Sequence, residues 1–531
     1  MTDKDPSIIW PAPGFPALLE PPNSHFDLIV ACRNSGCEFS RAWAQAIALR
    51  DRAGEKLLPL VSEEIAAADP GLVSELAGGF AALPQAAGLH FVRVRLRIPA
   101  NPPASCPPSP RTVQLLDVCV NGVVERPRCV ALFREPGTTL NLAFASDLHA
   151  AAIWDEVAAA VDRHAPELAG VLLHPRRLLN RFIDEANALA AGGRLDLVVL
   201  GGDLVDHVQI QPRGDGRNGD TNVSRLLGDL ARLEVPTLMI PGNHDFRGFP
   251  RRLRSSGMEG VGLSWKQGEA LLRKTGLWEF WPLNFRDLDA LCTTNAGGPA
   301  LSDHLTHLAP ATDYCCRVRG LRLLLASTGC DMLVRWKEVE PPRWGLAVRG
   351  LKSTRYHPDS EGFSEGQIGR LRGGLQAGGG AALFFHAPLL AAPTEVRIEE
   401  RLASLHPGPQ EALADRVAFE CRMQRAGFRT GVSFKNPGML LREIAAAAGP
   451  VATFSGHAHR ATAIEVNRRT MRARSIDPNQ TAAGPDIFSL LTAPALGQVV
   501  RGGTQRPGYL LARFSNGALT SLRQCSLETR P

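Results

Sequence analysis

Short apolar runs separated by turn residues characterise the first part of the chain. The runs "HFDLIVAC", "LHFVRVRLRI", "VQLLDVCVNGVV" and "RCVALFRE" are alternating or continuously apolar, and clusters of Pro and Gly divide them. This pattern predicts an all-β sandwich over residues 1–138. One stretch, "EKLLPLVSEEIAAADPGLVSELAGGFAALP" at residues 55–84, has a helical pattern instead. We therefore expect a helical insertion between two strands of the sandwich.

After the turn-rich segment "REPGTT" at residues 134–139, strand-like runs alternate with helical patterns. "NLAFAS", "LDLVVLGG", "PTLMIPG", "LRLLLAST", "AALFFHAP" and "VATFSGHAH" are strand-like, whereas "NVSRLLGDLARLE" and "SEGQIGRLRGGLQ" have helical spacing. Such alternation predicts β-α-β units with parallel strands. We assign residues 139–531 to this second, α/β domain and expect insertions near residues 247–310 and 391–450, where periodicity is patchy. The end of the chain predicts a hairpin that turns at Asn516–Gly517.

The apolar runs of the second domain end in carboxylate, amide or imidazole side chains. These side chains are Asp147 and His149, Asp203 and Asp206, Asn243 and His244, His386, and His457 and His459. The carboxyl ends of parallel strands converge on one crevice, so we expect these groups to meet in space. A single Gly-Asn-His-Asp is equally typical of a turn, and a single His is usually structural. The ordered series of strand ends favours one common site.

The chemistry of these donors predicts a metal centre. Oxygen and nitrogen ligands without thiolate suit borderline to hard divalent ions, and the set is too large for one tetrahedral zinc. Two metal ions are therefore expected, with Asp203 as the bridging ligand. The predicted metal ligands are Asp147, His149, Asp203, Asn243, His386, His457 and His459.

The blocks "DLH", "GDLVD", "GNHD", a lone His and "GHAH" occur in this order over residues 139–465, and here the chain resembles the calcineurin-like metallophosphoesterases. The resemblance implies a metallophosphoesterase-type β-sandwich flanked by helices. It also implies how the ligands divide between the metals. One metal would be held by Asp147, His149, Asp203 and His459, and the second by Asp203, Asn243, His386 and His457.

The same resemblance implies hydrolysis of phosphoesters by a hydroxide that bridges two divalent metals. His244 is our candidate acid for the leaving oxygen, and Asp206 resembles the family carboxylate that orients this histidine and raises its pKa. Asp206 can equally be a helix N-cap or turn residue. Purple acid phosphatases have a tyrosine at this place, so we expect divalent Mn, Fe or Zn rather than an iron(III) centre.

The ligands prepare the attacking group but do not choose the substrate, so several functions stay open. A phosphodiesterase is favoured, and the alternatives are a phosphomonoesterase, a nuclease or a non-catalytic metal-binding scaffold. We expect a small phosphorylated substrate, because the net charge of +6 is spread along the chain and no basic tract supports nucleic acid. The arginines of "FRGFPRRLR" at 246–254 can hold a phosphate or lie in solvent. The sequence does not predict the oligomeric state.

Composition and cysteine usage bear on location. Hydrophobic residues make up 44% of the chain and charged residues 21%, as in soluble globular proteins, and no apolar run is long enough for a membrane span. The N-terminal residues lack the basic start and apolar core of a secretory signal. The 11 cysteines include no Cys-x-x-Cys pair. We therefore expect a cytoplasmic protein.

Overall fold

The fold is taken from a computed structural model, which describes most but not all of the chain. The described residues are 6–22, 25–32, 41–51, 57–68, 90–98, 111–206, 221–242, 244–246, 261–275, 304–328, 333–335, 356–358, 363, 365–390, 396–397, 437–479, 486–498 and 506–527.

The described strands are numbered in chain order. Those of the N-terminal region are β1 (Ser7–Trp10), β2 (Ala17–Leu19), β3 (His25–Cys32), β4 (Ile47–Asp51), β5 (Leu57–Pro59), β6 (Val61–Ala68), β7 (His90–Arg97), β8 (Val113–Val120) and β9 (Val123–Phe133). Those that follow are β10 (Thr139–Ala145), β11 (Leu197–Gly201), β12 (Thr237–Ile240), β13 (Asp313–Val318), β14 (Leu321–Ala326), β15 (Leu333–Arg335), β16 (Tyr356–Pro358), β17 (Ala381–Phe384), β18 (Val396–Arg397), β19 (Val451–Ser455), β20 (Thr462–Asn467), β21 (Arg472–Ile476), β22 (Ile487–Thr492), β23 (Gly508–Ser515) and β24 (Ala518–Ser526).

Helices connect many of these strands. The described α-helices are α1 (Arg41–Gln45), α2 (Ala152–His164), α3 (Pro175–Ala191), α4 (Asn222–Leu230), α5 (Trp265–Thr275), α6 (Glu365–Gln376) and α7 (Pro437–Ala445). Short 3-10 helices cover Pro166–Leu168 and His244–Phe246, and a π-helix covers His304–Leu308. Among these helices, none combines the length and the apolar character that crossing a bilayer requires.

The N-terminal region is all-β apart from α1 in its described part, as the apolar runs predicted. Its strands form one sheet in the order β1-β3-β7-β6 and a second in the order β2-β9-β8-β4-β5. Both sheets contribute side chains to one apolar cluster, which includes Leu28 and Val94 from the first sheet and Leu49 and Val118 from the second. Burial of these side chains between the sheets stabilises a sandwich.

The helical insertion predicted over residues 55–84 is wrong for its described part. Residues Val61–Ala68 form β6, which pairs antiparallel with β7. Arg97 on β7 lies 2.7 Å from Glu63, and Arg93 lies 3.0 Å from Glu64. The Glu and Ala residues of this segment have helical propensity, but pairing with β7 and the cross-strand ion pairs outweigh that preference.

Two larger sheets form a second β-sandwich with helices on its outer faces. One sheet has the order β12-β11-β10-β23-β24, and the other has the order β13-β14-β17-β19-β22-β20-β21-β18. Phe144 of the first sheet and Phe384 and Phe454 of the second pack together between them. On the outer faces, α3 and α4 cover the first sheet, and α6 and α7 cover the second. The β-sandwich flanked by helices that the resemblance implied is therefore present.

Parallel pairing brings several strand ends to the same edge of this sandwich. Strands β10, β11 and β12 are parallel neighbours in one sheet, and β14, β17, β19 and β22 are parallel neighbours in the other. Within β10, Leu142 and Phe144 face the opposite sheet while Ala143 and Ala145 face the helices, so both faces of the strand are buried. This explains why these strands are continuously apolar in sequence.

The N-terminal region contacts the larger sandwich extensively. The ring of Phe15 stacks on Tyr314 of β13 with centroids 4.0 Å apart, and Phe15 belongs to the apolar cluster between the two large sheets. Arg128 on β9 donates to the carbonyl oxygen of Leu230, the last residue of α4, and to that of Val235, two residues before β12. The domain boundary near residue 138 stays a prediction, but the two regions share a core.

The terminal hairpin is confirmed. Strands β23 and β24 pair antiparallel, and Asn516 and Gly517 between them have φ angles of 50° and 78°. Those angles fit a two-residue turn that favours Asn-Gly. The arginines of 247–254 and most of the two predicted insertions lie outside the described residues, so the predictions made for them stay predictions.

Candidate metal centre

The predicted site residues follow the parallel strands at the shared edge of the two sheets. Asp147 and His149 follow β10, Asp203 and Asp206 follow β11, His244 follows β12, His386 follows β17, and His457 and His459 follow β19. Asn243 lies outside the described residues. The structure brings the eight described side chains into three neighbouring groups, of which the first and third share His149: Asp147–His149–His459, Asp203–His386–His457 and His149–Asp206–His244.

The first group is tightly packed, with Asp147 and His149 buried and His459 partly exposed. Asp147 Oδ1 lies 3.1 Å from His459 Nε2 and 4.0 Å from His149 Nε2, and the two imidazole Nε2 atoms lie 3.3 Å apart. His149 Nε2 is also 3.8 Å from Asp203 Oδ2, which belongs to the second group. One carboxylate and two imidazole nitrogens therefore point toward a common position, with a second carboxylate next to it.

The second group is centred on Asp203. His386 Nε2 lies 3.2 Å from Asp203 Oδ2 and 4.0 Å from Asp147 Oδ1. His386 Nδ1 lies 2.9 Å from the carbonyl oxygen of Gly201, and a hydrogen bond from Nδ1–H to that oxygen directs Nε2 toward Asp203. The ring of His457 packs at 5.0 Å from that of His386. Asp203 thus lies between the two groups, at the position predicted for the bridging ligand.

The third group contains the candidate acid. His244 Nδ1 lies 2.7 Å from the backbone oxygen of Asp206 and 3.3 Å from its Oδ1, while Asp206 Oδ1 is also 3.1 Å from His149 Nδ1. The backbone N–H of His244 donates to Asp203 Oδ1 at 2.7 Å. The His244 side chain is 26% exposed, whereas that of His149 is 1% exposed. His244 therefore lies between the buried carboxylates and solvent.

The backbone turns sharply at the predicted ligands. Asp147, His149, Asp203, His457 and His459 have φ angles of 56°, 48°, 49°, 62° and 53°. Residues other than glycine adopt this left-handed conformation rarely, and Asp and His are among those that tolerate it best. The turns direct side chains from neighbouring strand ends toward one centre.

Two glycines allow the strand ends to approach each other closely. A Cβ atom on Gly242 would lie 2.3 Å from the backbone nitrogen of Asp203, and one on Gly456 would lie 1.9 Å from Ser146 Oγ. A side chain at Gly242 would require a shift of backbone, and one at Gly456 would displace the side chains of Ser146 and Asp147. The glycines of the "GNHD" and "GHAH" blocks are thus required by packing at this edge.

The buried carboxylates and histidines of the site shift one another's pKa values. Burial alone would raise the pKa of Asp147, but the nearby His459 and His386 hold it below its ordinary value. The pKa of Asp203 is likewise held well below its ordinary value, because His386 and His244 outweigh the effect of burial. Burial would lower the pKa of His386, yet Asp203 and Asp147 raise it to about 9. His386 and the carboxylates of Asp147 and Asp203 therefore stabilise each other's charged forms.

The arrangement fits divalent cations. Asp147 Oδ1 is buried and makes no hydrogen bond of good geometry within the described part of the chain, although His459 is near. Burial and the charge of His386 lower the pKa of His457 to about 3, so His457 is a neutral imidazole that can donate its lone pair. A buried acceptor, a second carboxylate and neutral imidazoles around them are the ligands that Mn, Fe and Zn bind.

Asp245 is a buried residue of this site whose role the sequence did not indicate. Its Oδ1 accepts from the backbone N–H of Val205 at 2.9 Å, and its Oδ2 accepts from Leu204 at 3.1 Å and from Gly242 at 2.7 Å. Burial and the charge of Asp203 raise the pKa of Asp245 to about 7. Its position next to His244 in the "GNHD" block was the one available signal. Asp245 ties the segment after β11 to the segment after β12.

Comparison with known proteins agrees with this geometry. The family model of the calcineurin-like phosphoesterases matches residues 140–336. The match covers Asp147, Asp203 and His244 and ends before His386, which the structure nevertheless places beside Asp203. A search of curated proteins found no match.

Two solved structures are similar to the chain at low identity. The structure of PhoD aligns with 99% of this chain and 94% of its own, at 10% identity and a TM-score of 0.37. GAP50, the anchor in the inner membrane complex of Plasmodium, aligns with 73% of this chain and 85% of its own, at 10% identity and a TM-score of 0.26. Both scores are too low to carry an argument. The match over residues 140–336 is what identifies this region as a calcineurin-like phosphoesterase and the protein as a hydrolase of phosphoric ester bonds.

Proposed function

We propose that the protein is a phosphodiesterase that uses two divalent metal ions, Mn, Fe or Zn, at the edge shared by its two large sheets. The observation that carries this proposal is the convergence of two buried carboxylates, Asp147 and Asp203, with four imidazoles on two adjoining positions. Burying two carboxylates side by side is unfavourable unless cations compensate them.

Each predicted ligand has a place in this proposal. Asp147, His149 and His459 would hold one cation, His386 and His457 would hold the other together with Asn243, and Asp203 would bridge the two. When bound, the cations would supply a bridging hydroxide as nucleophile and neutralise the phosphoryl oxygens. The protein holds the ligands and orients the substrate between them and His244.

His244 is the group that we assign to protonation of the leaving oxygen. Its Nδ1 donates to the backbone oxygen of Asp206 at 2.7 Å, so its Nε2 is directed away from Asp206. Nε2 lies 4.0 Å from Asp203 Oδ2, at the border of the metal positions. Asp206 orients both His244 and His149 through one carboxylate oxygen. A proton carried on His244 Nε2 would pass to the ester oxygen as the phosphorus–oxygen bond breaks.

Diesters are our proposed substrates because of the likeness of the "GNHD" and "GHAH" blocks to family members that act on diesters. We further propose a small phosphorylated substrate and a cytoplasmic location. Support for the location comes from the thiols, since Cys119, Cys129, Cys315, Cys316 and Cys525 form no disulfide within the described part of the chain. Fractionation of the native source would test the location.

The test combines metal analysis with two substrates. The purified protein is expected to contain or bind about two equivalents of metal per chain and to hydrolyse bis-p-nitrophenyl phosphate faster than p-nitrophenyl phosphate. His244→Ala should lower turnover of a diester with a poor leaving group, such as diphenyl phosphate, by roughly 100-fold while keeping the metals. His25→Ala is a matched control, because His25 lies on β3 of the N-terminal region and pairs with Glu63. A faster monoester reaction would replace the diesterase by a phosphomonoesterase, and absence of both metal and turnover would refute the proposal.

A further inference from the structure

The segment that carries His244 is held from the opposite sheet by a buried polar network. Pro241 follows β12, and its carbonyl oxygen accepts a hydrogen bond from Ser327 Oγ at 3.3 Å. Ser327 follows β14 of the eight-stranded sheet, whereas β12 belongs to the five-stranded sheet. This hydrogen bond therefore joins the two sheets at the edge where the metal ligands lie, two residues before Asn243.

Ser327 is itself fixed by two further buried residues. Its backbone N–H donates to Asp313 Oδ1 at 2.9 Å, and its carbonyl oxygen accepts from Gln367 Nε2 at 2.7 Å. Gln367 Nε2 also lies 2.9 Å from Asp313 Oδ2. Ser327 and Gln367 are 0% exposed and Asp313 is 5% exposed. Buried and mutually satisfied polar groups of this kind hold a unique geometry.

The position of Ser327 also relates it to a metal ligand. Strands β14 and β17 are parallel, with Leu325 opposite Phe384. Both strands therefore end at the same edge of the sheet, where Ser327 and His386 each follow the last paired residue by two positions. The segment after β14 leaves the sheet at the edge that carries His386, and it bonds to the His244 segment on the other sheet.

The other hydrogen bonds described for the His244 segment come from residues of the site and from the backbone N–H groups of Leu204 and Val205, which donate to Asp245. Gly242 N–H donates to Asp245, His244 N–H donates to Asp203, and His244 Nδ1 contacts Asp206. The bond from Ser327 is made by a residue that belongs to none of the predicted metal or acid positions. Strand β12 is four residues long, so few ladder hydrogen bonds fix the segment after it.

We propose that Ser327, held by Asp313 and Gln367, is a positioning residue that sets the distance between the acid His244 and the metal ligands. This inference rests on the proposed function, in which His244 protonates the leaving oxygen. Loss of the Ser327 hydroxyl would let the segment after Pro241 move relative to His386. Displacing an acid by a fraction of an ångström weakens proton transfer while leaving the metal ligands in place.

The test uses the leaving group to separate acid positioning from general damage. A p-nitrophenolate leaving group needs little protonation, whereas phenolate needs much more, so loss of the acid lowers turnover of diphenyl phosphate more than that of bis-p-nitrophenyl phosphate. Ser327→Ala should lower turnover of diphenyl phosphate about 10-fold more than that of bis-p-nitrophenyl phosphate, with unchanged metal content. If the enzyme prefers monoesters, phenyl phosphate and p-nitrophenyl phosphate replace this pair.

Ser455→Ala is the matched control. Ser455 is 3% exposed, ends the neighbouring strand β19, and bonds to Leu491 and Thr492 rather than to the His244 segment. Its loss should affect both substrates equally. If Ser327→Ala folds poorly, Gln367→Met is the alternative variant, because it removes the hydrogen bond that Gln367 donates to the Ser327 carbonyl oxygen. It should lower turnover less than Ser327→Ala, and again more for diphenyl phosphate than for bis-p-nitrophenyl phosphate.

Comparison with His244→Ala separates the acid role of His244 from the positioning role of Ser327. If His244→Ala shows the selective loss and neither Ser327→Ala nor Gln367→Met does, Ser327 is not a positioning residue and the proposed function stands. If His244→Ala affects both substrates equally, the acid assignment fails, and the role of Ser327 fails with it. A selective loss in all three variants supports both.

Discussion

Replacement of Phe15 by Ala tests whether the N-terminal region is part of the core behind the metal centre. Phe15 is 4% exposed, and its ring stacks on Tyr314 within the cluster that also contains Phe144 and Phe384. Truncating a buried Phe to Ala destabilises a protein by about 3 to 5 kcal/mol, because apolar contacts are lost and a cavity remains. Phe144 and Phe384 lie on β10 and β17, which are followed by Asp147 and His386, so the loss should reach the site.

The assay is urea unfolding followed by tryptophan fluorescence and by hydrolysis of bis-p-nitrophenyl phosphate. A loss of about 4 kcal/mol with an m value of about 3 kcal/mol per M shifts the midpoint by roughly 1 M. We expect both signals to shift to lower urea together. Val123→Ala, in the same region but 57% exposed, should leave both midpoints nearly unchanged. An activity midpoint that stays constant in Phe15→Ala would show that the region unfolds independently.

Three further predictions concern the site and the pH dependence of stability. Asp203→Asn should abolish both metal binding and turnover, since the Oδ2 atom lies 3.2 to 4.0 Å from three histidines, and metal analysis checks this. Gly456→Ala should weaken metal affinity at least 10-fold, because the added Cβ would displace Ser146. Gly228→Ala on α4 is the control, since its Cβ would meet no atom within 4 Å, and isothermal titration measures both affinities. Burial lowers the pKa of His304 to about 4, so the unfolded chain binds a proton near pH 6.5 that the folded chain does not. Unfolding should therefore become easier by up to about 3 kcal/mol as the pH falls from 6.5 to 4, and His304→Leu should remove that part of the pH dependence in urea titrations.

The sequence predicts an element correctly where interactions between residues close in sequence determine its conformation. The Asn516–Gly517 turn was predictable because its left-handed angles favour these two residues. The strand ends at Asp203 and His386 were predictable because parallel pairing makes continuous apolar runs and places polar residues at one edge. Residues Val61–Ala68 were not predictable, because their strand conformation depends on β7, which is more than 20 residues away in sequence.

The roles of residues whose partners are distant in sequence could not be predicted either. Ser327 has no motif, and its relevance lies in a bond to Pro241, 86 positions away. Asp313 and Gln367 are 54 positions apart and look like ordinary polar residues at the start of a strand and within a helix. Such networks depend on the packing of two sheets, and a single sequence carries no direct record of it.

The left-handed residues explain why strand ends supply this site. An α-helix presents neighbouring side chains at intervals of three or four residues, so it offers few ligands to one point. Here Asp147 and His149, separated by one residue, both turn toward the centre because both have positive φ. Such angles are unfavourable by roughly 1 to 3 kcal/mol per residue. They are sustained by backbone hydrogen bonds from Asp147 N–H to the carbonyl oxygen of Gly202 and from Gly497 N–H to the carbonyl oxygen of Asp147. The fold itself therefore orders these side chains, and ligands ordered by the fold lower the entropy cost of binding a cation.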